Sequence, residues 1–278
     1  MFSPISVGRA LPDLAAPLAN AHVWRAGELG SASLQTVDTA YAALNDVLPG
    51  GGWPQGALVE VLQPQAGQHE WGLVAPALTR VQAEAPATWM VLVGAPYLPF
   101  GPALGARQLN MQRLLCVQAE PGQAPALLWA TREALQCADV AAVLAWLPDA
   151  RSAHLRRLQI AAHAHNKLLF VFRPMRAQNE SSPAPLRLLM EGTTGDAGNL
   201  SVTVLKRRGP PLASPVLLDT RPARLSALLA ASRERARQKR EELAPMLPSF
   251  VSLTSLRVTS PPRPAHALLD RIAYLDHH

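Results

Sequence analysis

A chain of 278 residues with 49% hydrophobic content has ample material for a packed core, which excludes a disordered or fibrous protein. Two cysteines, Cys116 and Cys137, lie in apolar surroundings, read as core thiols, and exclude a disulfide framework or a cysteine-based zinc site. The net charge of +6 is uneven: Lys206 to Arg240 holds ten basic residues against Asp219 and Glu234, or +8, leaving about −2 for the remainder.

Residues 1–20 are rich in Pro and Ala. They show no charged start followed by a long apolar run, so no signal peptide is expected. No apolar stretch approaches the roughly 20 residues of a membrane span. A cytoplasmic protein without membrane contact is the expectation. His22 to Leu29, HVWRAGEL, places Val23 and Trp24 where they can pin an N-terminal arm (1–30) to a domain. A helix is expected over Thr36 to Val47, closed by Pro49 and three glycines.

Ala57 to Leu62 reads as a strand, followed by a loop into a helix from Glu70 to Ala83, kinked by Pro76. The continuous apolar run Trp89 to Val93 fits a strand covered on both faces. A short helix, Pro102 to Gln108, precedes a strand at Leu114 to Val117. Then come a helix over Ala124 to Cys137, a strand over Val140 to Leu147, a helix over Arg151 to Asn166 and a strand over Leu168 to Phe172. Strands alternating with helices argue for an α/β fold with a mainly parallel sheet. From Leu186 the pattern alternates with period two, giving an antiparallel hairpin of Leu186–Met190 and Leu200–Leu205 at the end of the sheet. Lys206-Arg-Arg-Gly-Pro-Pro closes the core domain (31–211). A basic, Pro-rich C-terminal arm (212–278) follows, with one helix over Ala223 to Leu243.

The junction after Leu62 is where a phosphate-binding loop would sit, because amides at a helix start favour an anion. The P-loop pattern needs two glycines four residues apart, then Lys and Ser or Thr. The loop here runs Gln63, Pro64, Gln65, Ala66, Gly67, Gln68, His69, Glu70. It has no lysine to reach a phosphate and no hydroxyl to hold magnesium, and Glu70 brings the wrong charge. Trp53 and Trp71 flank this loop, and one of them is expected to fill the space of the missing nucleotide.

No other chemistry stands out. His163 and His165 are two apart and do not share a helix face, so they read as solvated side chains rather than metal ligands. No serine sits in a nucleophile elbow. No catalytic residue, cofactor or metal ligand is assigned. Lys206, Arg207 and Arg208 end a strand, and Arg233, Arg235, Arg237, Lys239 and Arg240 follow on one helix. These eight are the candidate contacts to a partner protein or, weakly and electrostatically, to DNA. The alternative is a solvated strand end and helix face. No aromatic platform for stacking bases accompanies them.

The order of parts resembles the RecA-type core, a three-layer α/β fold. More closely, VWRAGEL, LPGGGWPQGALVEVL, APYLPFGPAL, AVLAWLPDA, LRRLQIAA, FVFRP and VLKRRGPP resemble the family of translesion DNA synthesis-associated ImuA proteins over residues 22–211. On the RecA frame the Walker lysine falls at about His69 and the following hydroxyl at Glu70. The Walker B aspartate falls at the end of Val140 to Leu147, where Ala145-Trp146-Leu147 stands, with Asp149 beyond Pro148. The catalytic carboxylate falls near Pro96. These losses remove phosphate neutralisation, metal binding and water activation together, so no ATPase is expected. The resemblance implies an accessory factor in SOS-induced, error-prone translesion synthesis. Its implied partners are ImuB (a polymerase-like protein without polymerase chemistry), RecA and the error-prone DNA polymerase assembly. The alternative is a SulA-like cell-division inhibitor acting on FtsZ, and the third reading is a divergent ATPase.

Overall fold

The structure, a computed structural model, describes residues 35–120, 122–193 and 198–243. The expected N-terminal arm (1–30) and the sequence after Leu243 lie outside them. In chain order the elements are β1 (Thr36–Val37), α1 (Ala42–Asn45), β2 (Trp53–Pro54), β3 (Ala57–Gln63), α2 (Glu70–Glu84), β4 (Trp89–Val93), α3 (Gly101–Ala106), β5 (Leu114–Val117), α4 (Ala124–Gln136), β6 (Val140–Trp146), α5 (Ser152–Ala164), β7 (Leu168–Pro174), β8 (Leu186–Gly192), β9 (Asn199–Lys206), β10 (Val216–Asp219) and α6 (Ala223–Leu243).

Eight strands form the central sheet in the order β10-β9-β8-β3-β7-β6-β4-β5. The pairs from β8 through β3, β7, β6 and β4 to β5 are parallel, and β9 joins β8 and β10 antiparallel. The continuous apolar runs of β3, β4, β6 and β7 are buried on both faces, as a parallel sheet between helices requires. On one face α2 inserts Leu73, Val74 and Leu78 among Val59, Met90, Leu144 and Phe170. On the other, Leu135 of α4 and Leu155 and Leu158 of α5 meet Leu58, Val91, Val143 and Leu169. Helix, sheet and helix make three layers.

Pro76 in α2 removes the N–H that would bond the Gly72 carbonyl. The Tyr41 hydroxyl donates to that carbonyl instead, at 2.5 Å. The Tyr41 phenol is a donor at neutral pH in any case, and burial pushes it further up, to about 12. The proline therefore leaves no buried acceptor without a partner.

Three expectations are corrected. The helix expected over Thr36 to Val47 is a short strand, a turn and one helical turn. Thr36 and Val37 pair with Pro54 and Trp53. Asp38 and Thr39 bind local amides through their side chains, and Ala40 takes φ 68, so the backbone has local partners that compete with a helix. The core boundary at 211 falls inside the sheet, because β10 lies beyond Pro210-Pro211 and buries Val216 and Leu218. The expected antiparallel pairing of Leu186–Met190 with Leu200–Leu205 is present, and β8 also pairs in parallel with β3. Cys116 and Cys137 are exposed. Cys116 lies on β5, which has a strand on one side only. Partial burial pushes its thiol up.

The chain divides into two units, residues 1–226 and 227–278. Deleting 212–278 removes β10 and two buried side chains that contribute about 1.5–3 kcal/mol each. That truncation is expected to be unstable or insoluble, whereas ending the chain after Ser226 is expected to leave the first unit folded. Urea unfolding of the two truncations against the full chain decides this. Equal midpoints for all three would contradict it.

A buried charge cluster locks the end of the sheet. Glu60, in the middle of β3, is fully buried. It accepts from Arg173 Nη1 of β7 at 2.8 Å and Arg187 Nε of β8 at 2.6 Å. Arg173 Nη2 donates to the Ala150 carbonyl and to Glu180, both at 2.7 Å, and Arg187 Nη2 to the Ala177 carbonyl at 2.9 Å. The segments after β6 and β7 are thereby tied to the centre of the sheet. Burial pulls the Arg173 guanidinium down, but its hydrogen bonds to Glu180 and Glu60 outweigh this and hold it above its ordinary value.

Three carboxyls are held below the ordinary range: Asp38 by the Asn45 side chain and the Ala40 amide, Glu180 by Arg173, and Asp219 by Arg221. A folded-state value below the unfolded one gives stability that is complete above the unfolded value and is lost as pH falls through the folded one. The urea midpoint is therefore expected to be flat down to about pH 5 and to fall below about pH 4. A midpoint that rises on acidification would contradict this.

Candidate functional site

The loop between β3 and α2 is built around one carboxylate. Glu70, the first residue of α2, is 1% exposed. Its Oε1 accepts from the Gly67 amide at 2.6 Å, from Gln63 Nε2 at 2.8 Å and from Trp146 Nε1 at 2.8 Å. Its Oε2 accepts from the His69 amide at 3.0 Å. Amides at a helix start attract an anion, and here the anion is the helix's own side chain. The sequence marked Glu70 as the wrong charge for a phosphate. The structure adds that this charge is already fully engaged.

The other loop positions serve the same closure. Gln63 ends β3 and is 2% exposed, and its Oε1 has no partner among the described residues. Gly67 has φ +88, and a Cβ there would lie 2.5 Å from the Tyr97 ring, so the segment after β4 packs onto the loop. Pro96, where the resemblance would put a catalytic carboxylate, lies on the same side, 3.3 Å from that Cβ position. The His69 ring rests on Gly192 of β8, where a Cβ would come within 2.6 Å of Nε2.

The tryptophan that reaches the loop is Trp146, rather than Trp53 or Trp71. Trp53 is fully buried, edge-on to Phe170 at 5.2 Å between ring centroids, and Trp71 packs half-buried on the same core. Trp146 ends β6, stacks on Phe172 at 4.8 Å and turns its indole N–H to Glu70. It therefore places a donor where the resemblance would put a metal-holding aspartate. Asp149 is exposed and pairs with Arg176 at 3.2 Å. Among the described residues no group of three His, Cys, Asp or Glu side chains is placed to hold a metal ion. Nor is any helix among them long and apolar enough to cross a membrane. His163 and His165 are exposed at the end of α5.

The structure separates the basic candidates. Lys206, at the end of β9, donates to the Ser182 carbonyl at 3.0 Å. Arg207 donates to the carbonyls of Pro210 and Val47, so it ties the strand end to the body. Arg208 is exposed and lines a cleft of about 810 Å³ beside Gly56 and His163. Arg233, Arg235, Arg237, Lys239 and Arg240 are all exposed on α6, which has the expected bounds. Arg233, Arg237 and Arg240 share one helix face, while Arg235 and Lys239 share another. Charge thus rings this helix instead of forming one basic stripe. Arg235 Nε also donates to the Ala231 carbonyl at 3.1 Å.

No family model matches the chain, and no curated protein matches it.

Proposed function

We propose that the chain is a non-catalytic, RecA-like accessory protein of SOS-induced, error-prone translesion DNA synthesis, working through contacts with ImuB, RecA and the error-prone polymerase assembly. The observation that carries this reading is the Glu70 carboxylate seated on the amides of the loop. Phosphoryl transfer needs cations and a metal around the transferred group. This loop offers a carboxylate, an indole and a glutamine. The placement of parts supports the RecA-like reading. The loop-bearing strand β3 is central, and the end of β6 converges on the loop across the intervening β7. The quoted motifs from VWRAGEL to VLKRRGPP supply the link to translesion synthesis.

The test is co-purification of the tagged chain from DNA-damaged cells. Recovery of ImuB or RecA is the expected result. Recovery of FtsZ alone would replace this reading with that of a division inhibitor. A thermal shift with millimolar Mg-ATP addresses the divergent ATPase: no shift is expected, and saturable binding lost on substitution of Gly67 would overturn the non-catalytic assignment.

A further inference from the structure

Helices α4 and α5 carry exposed basic side chains of their own: Arg132 on α4, Arg151 at the start of α5, and Arg156 and Arg157 on α5. Between Asp149 and Glu180 the sequence has Arg151, Arg156, Arg157, Lys167, Arg173 and Arg176 and no acidic residue. Of these, Arg173 is buried in the Glu60 cluster and Arg176 pairs with Asp149. Arg156 and Arg157 are exposed on α5. Near the C-terminal ends of β4 and β6, α4 and α5 leave a groove of about 570 Å³. Leu128, Leu147 and Leu158 form its apolar part, and Trp129, Arg132 and Arg157 its exposed part. Trp129 is 64% exposed, and Ile160, three residues beyond Arg157 on α5, is 62% exposed. Among the described residues neither the Arg132 nor the Arg157 side chain has a hydrogen-bond or ion-pair partner.

We infer that this groove receives an amphipathic helix of a partner protein, one that presents aliphatic side chains on one face and flanks them with aspartate or glutamate. A large exposed tryptophan lining one groove with two arginines whose side chains have no partner is the composition of an interface hot spot rather than of solvated surface. The leucine-lined groove matches aliphatic side chains at helical spacing. The guanidinium groups match carboxylates, which they bind in a bidentate way. Nucleic acid fits less well. Stacked bases need successive aromatic faces, and the groove offers one. Glu120 and Asp149 also line it, so a continuous run of phosphates meets repulsion that a helix avoids by carrying its carboxylates only where they face Arg132 and Arg157. The inference concerns the chemistry of the surface and holds whichever protein supplies the helix, so it stands or falls separately from the co-purification result.

The test pans a displayed library of random peptides of about 16 residues against the full chain. Selected peptides are then measured on the wild type, on Trp129→Ala and on Arg132→Glu/Arg157→Glu. All three positions are partly or largely exposed, so thermal midpoints near that of the wild type are expected. Selected peptides should carry acidic residues with Leu, Ile, Phe or Met at helical spacing, and should bind both variants about tenfold or more weakly. Peptides without acidic residues, or affinities unchanged in both variants, would overturn the assignment. So would an oligothymidylate that binds the wild type and is lost in the double arginine variant, because the groove would then serve nucleic acid.

Discussion

Glu60→Ala is expected to destabilise the fold by about 3–5 kcal/mol, because it leaves two buried guanidinium groups without their shared carboxylate. A domain has about 5–15 kcal/mol in total, so the variant sits close to unfolding at ordinary temperature. The geometry explains the size of the effect. Glu60 is fully buried, Arg173 is 2% exposed and Arg187 is 8% exposed, so water cannot easily replace the lost partner. The exposed pair Arg176–Asp149 is the contrast, with side chains 67% and 72% accessible. Asp149→Ala is expected to cost less than about 1 kcal/mol. Urea unfolding of both variants decides the matter, and equal, small losses would contradict the buried-network account. Glu60→Gln keeps an acceptor but not the charge, and is expected to fall between them.

The strands at 57–63, 89–93, 114–117, 140–146 and 168–174 were legible because each is an apolar run bounded by turn residues. Their neighbours in the sheet were not, since a one-dimensional pattern does not say that β3 lies between β7 and β8. β10 escaped because it is four residues long and follows Pro210-Pro211. Its signal is only Val216 and Leu218 alternating with exposed Leu217 and Asp219. A carboxylate inside the run ALVEVLQ was the readable sign of a buried ion pair at Glu60, but its arginines lie 113 and 127 residues away. At the loop the missing lysine and hydroxyl were visible in the sequence. That Trp146 would turn its indole N–H to Glu70 was not, because the two are 76 residues apart.

Glu70→Ala is expected to lower stability and, at the same time, to make it respond to anions. Removing the carboxylate strands the amides of Gly67 and His69, the Trp146 indole and the Gln63 side-chain amide. A buried donor left unsatisfied costs about 1–3 kcal/mol. The four share one acceptor group, and Gly67 and Gln68 are exposed, so water recovers part of the loss and the terms do not add. A net loss of about 2–4 kcal/mol follows, which lowers Tm by roughly 5–15 °C for a domain of this size. The vacated amides then match a free anion. Phosphate at about ten times its dissociation constant restores about 1.4 kcal/mol by mass action. Kosmotropic salts stabilise most proteins, so the informative quantity is the phosphate-induced rise in the variant minus that in the wild type, with chloride as the reference. A rise confined to Glu70→Ala identifies the carboxylate as the resident anion of the loop. Equal rises in both proteins, or an unchanged Tm in the variant, would mean that Glu70 does not hold the loop closed. Mg-ATP is expected to do no better than phosphate even in the variant, because the loop still lacks a lysine and a hydroxyl to match the triphosphate and its metal.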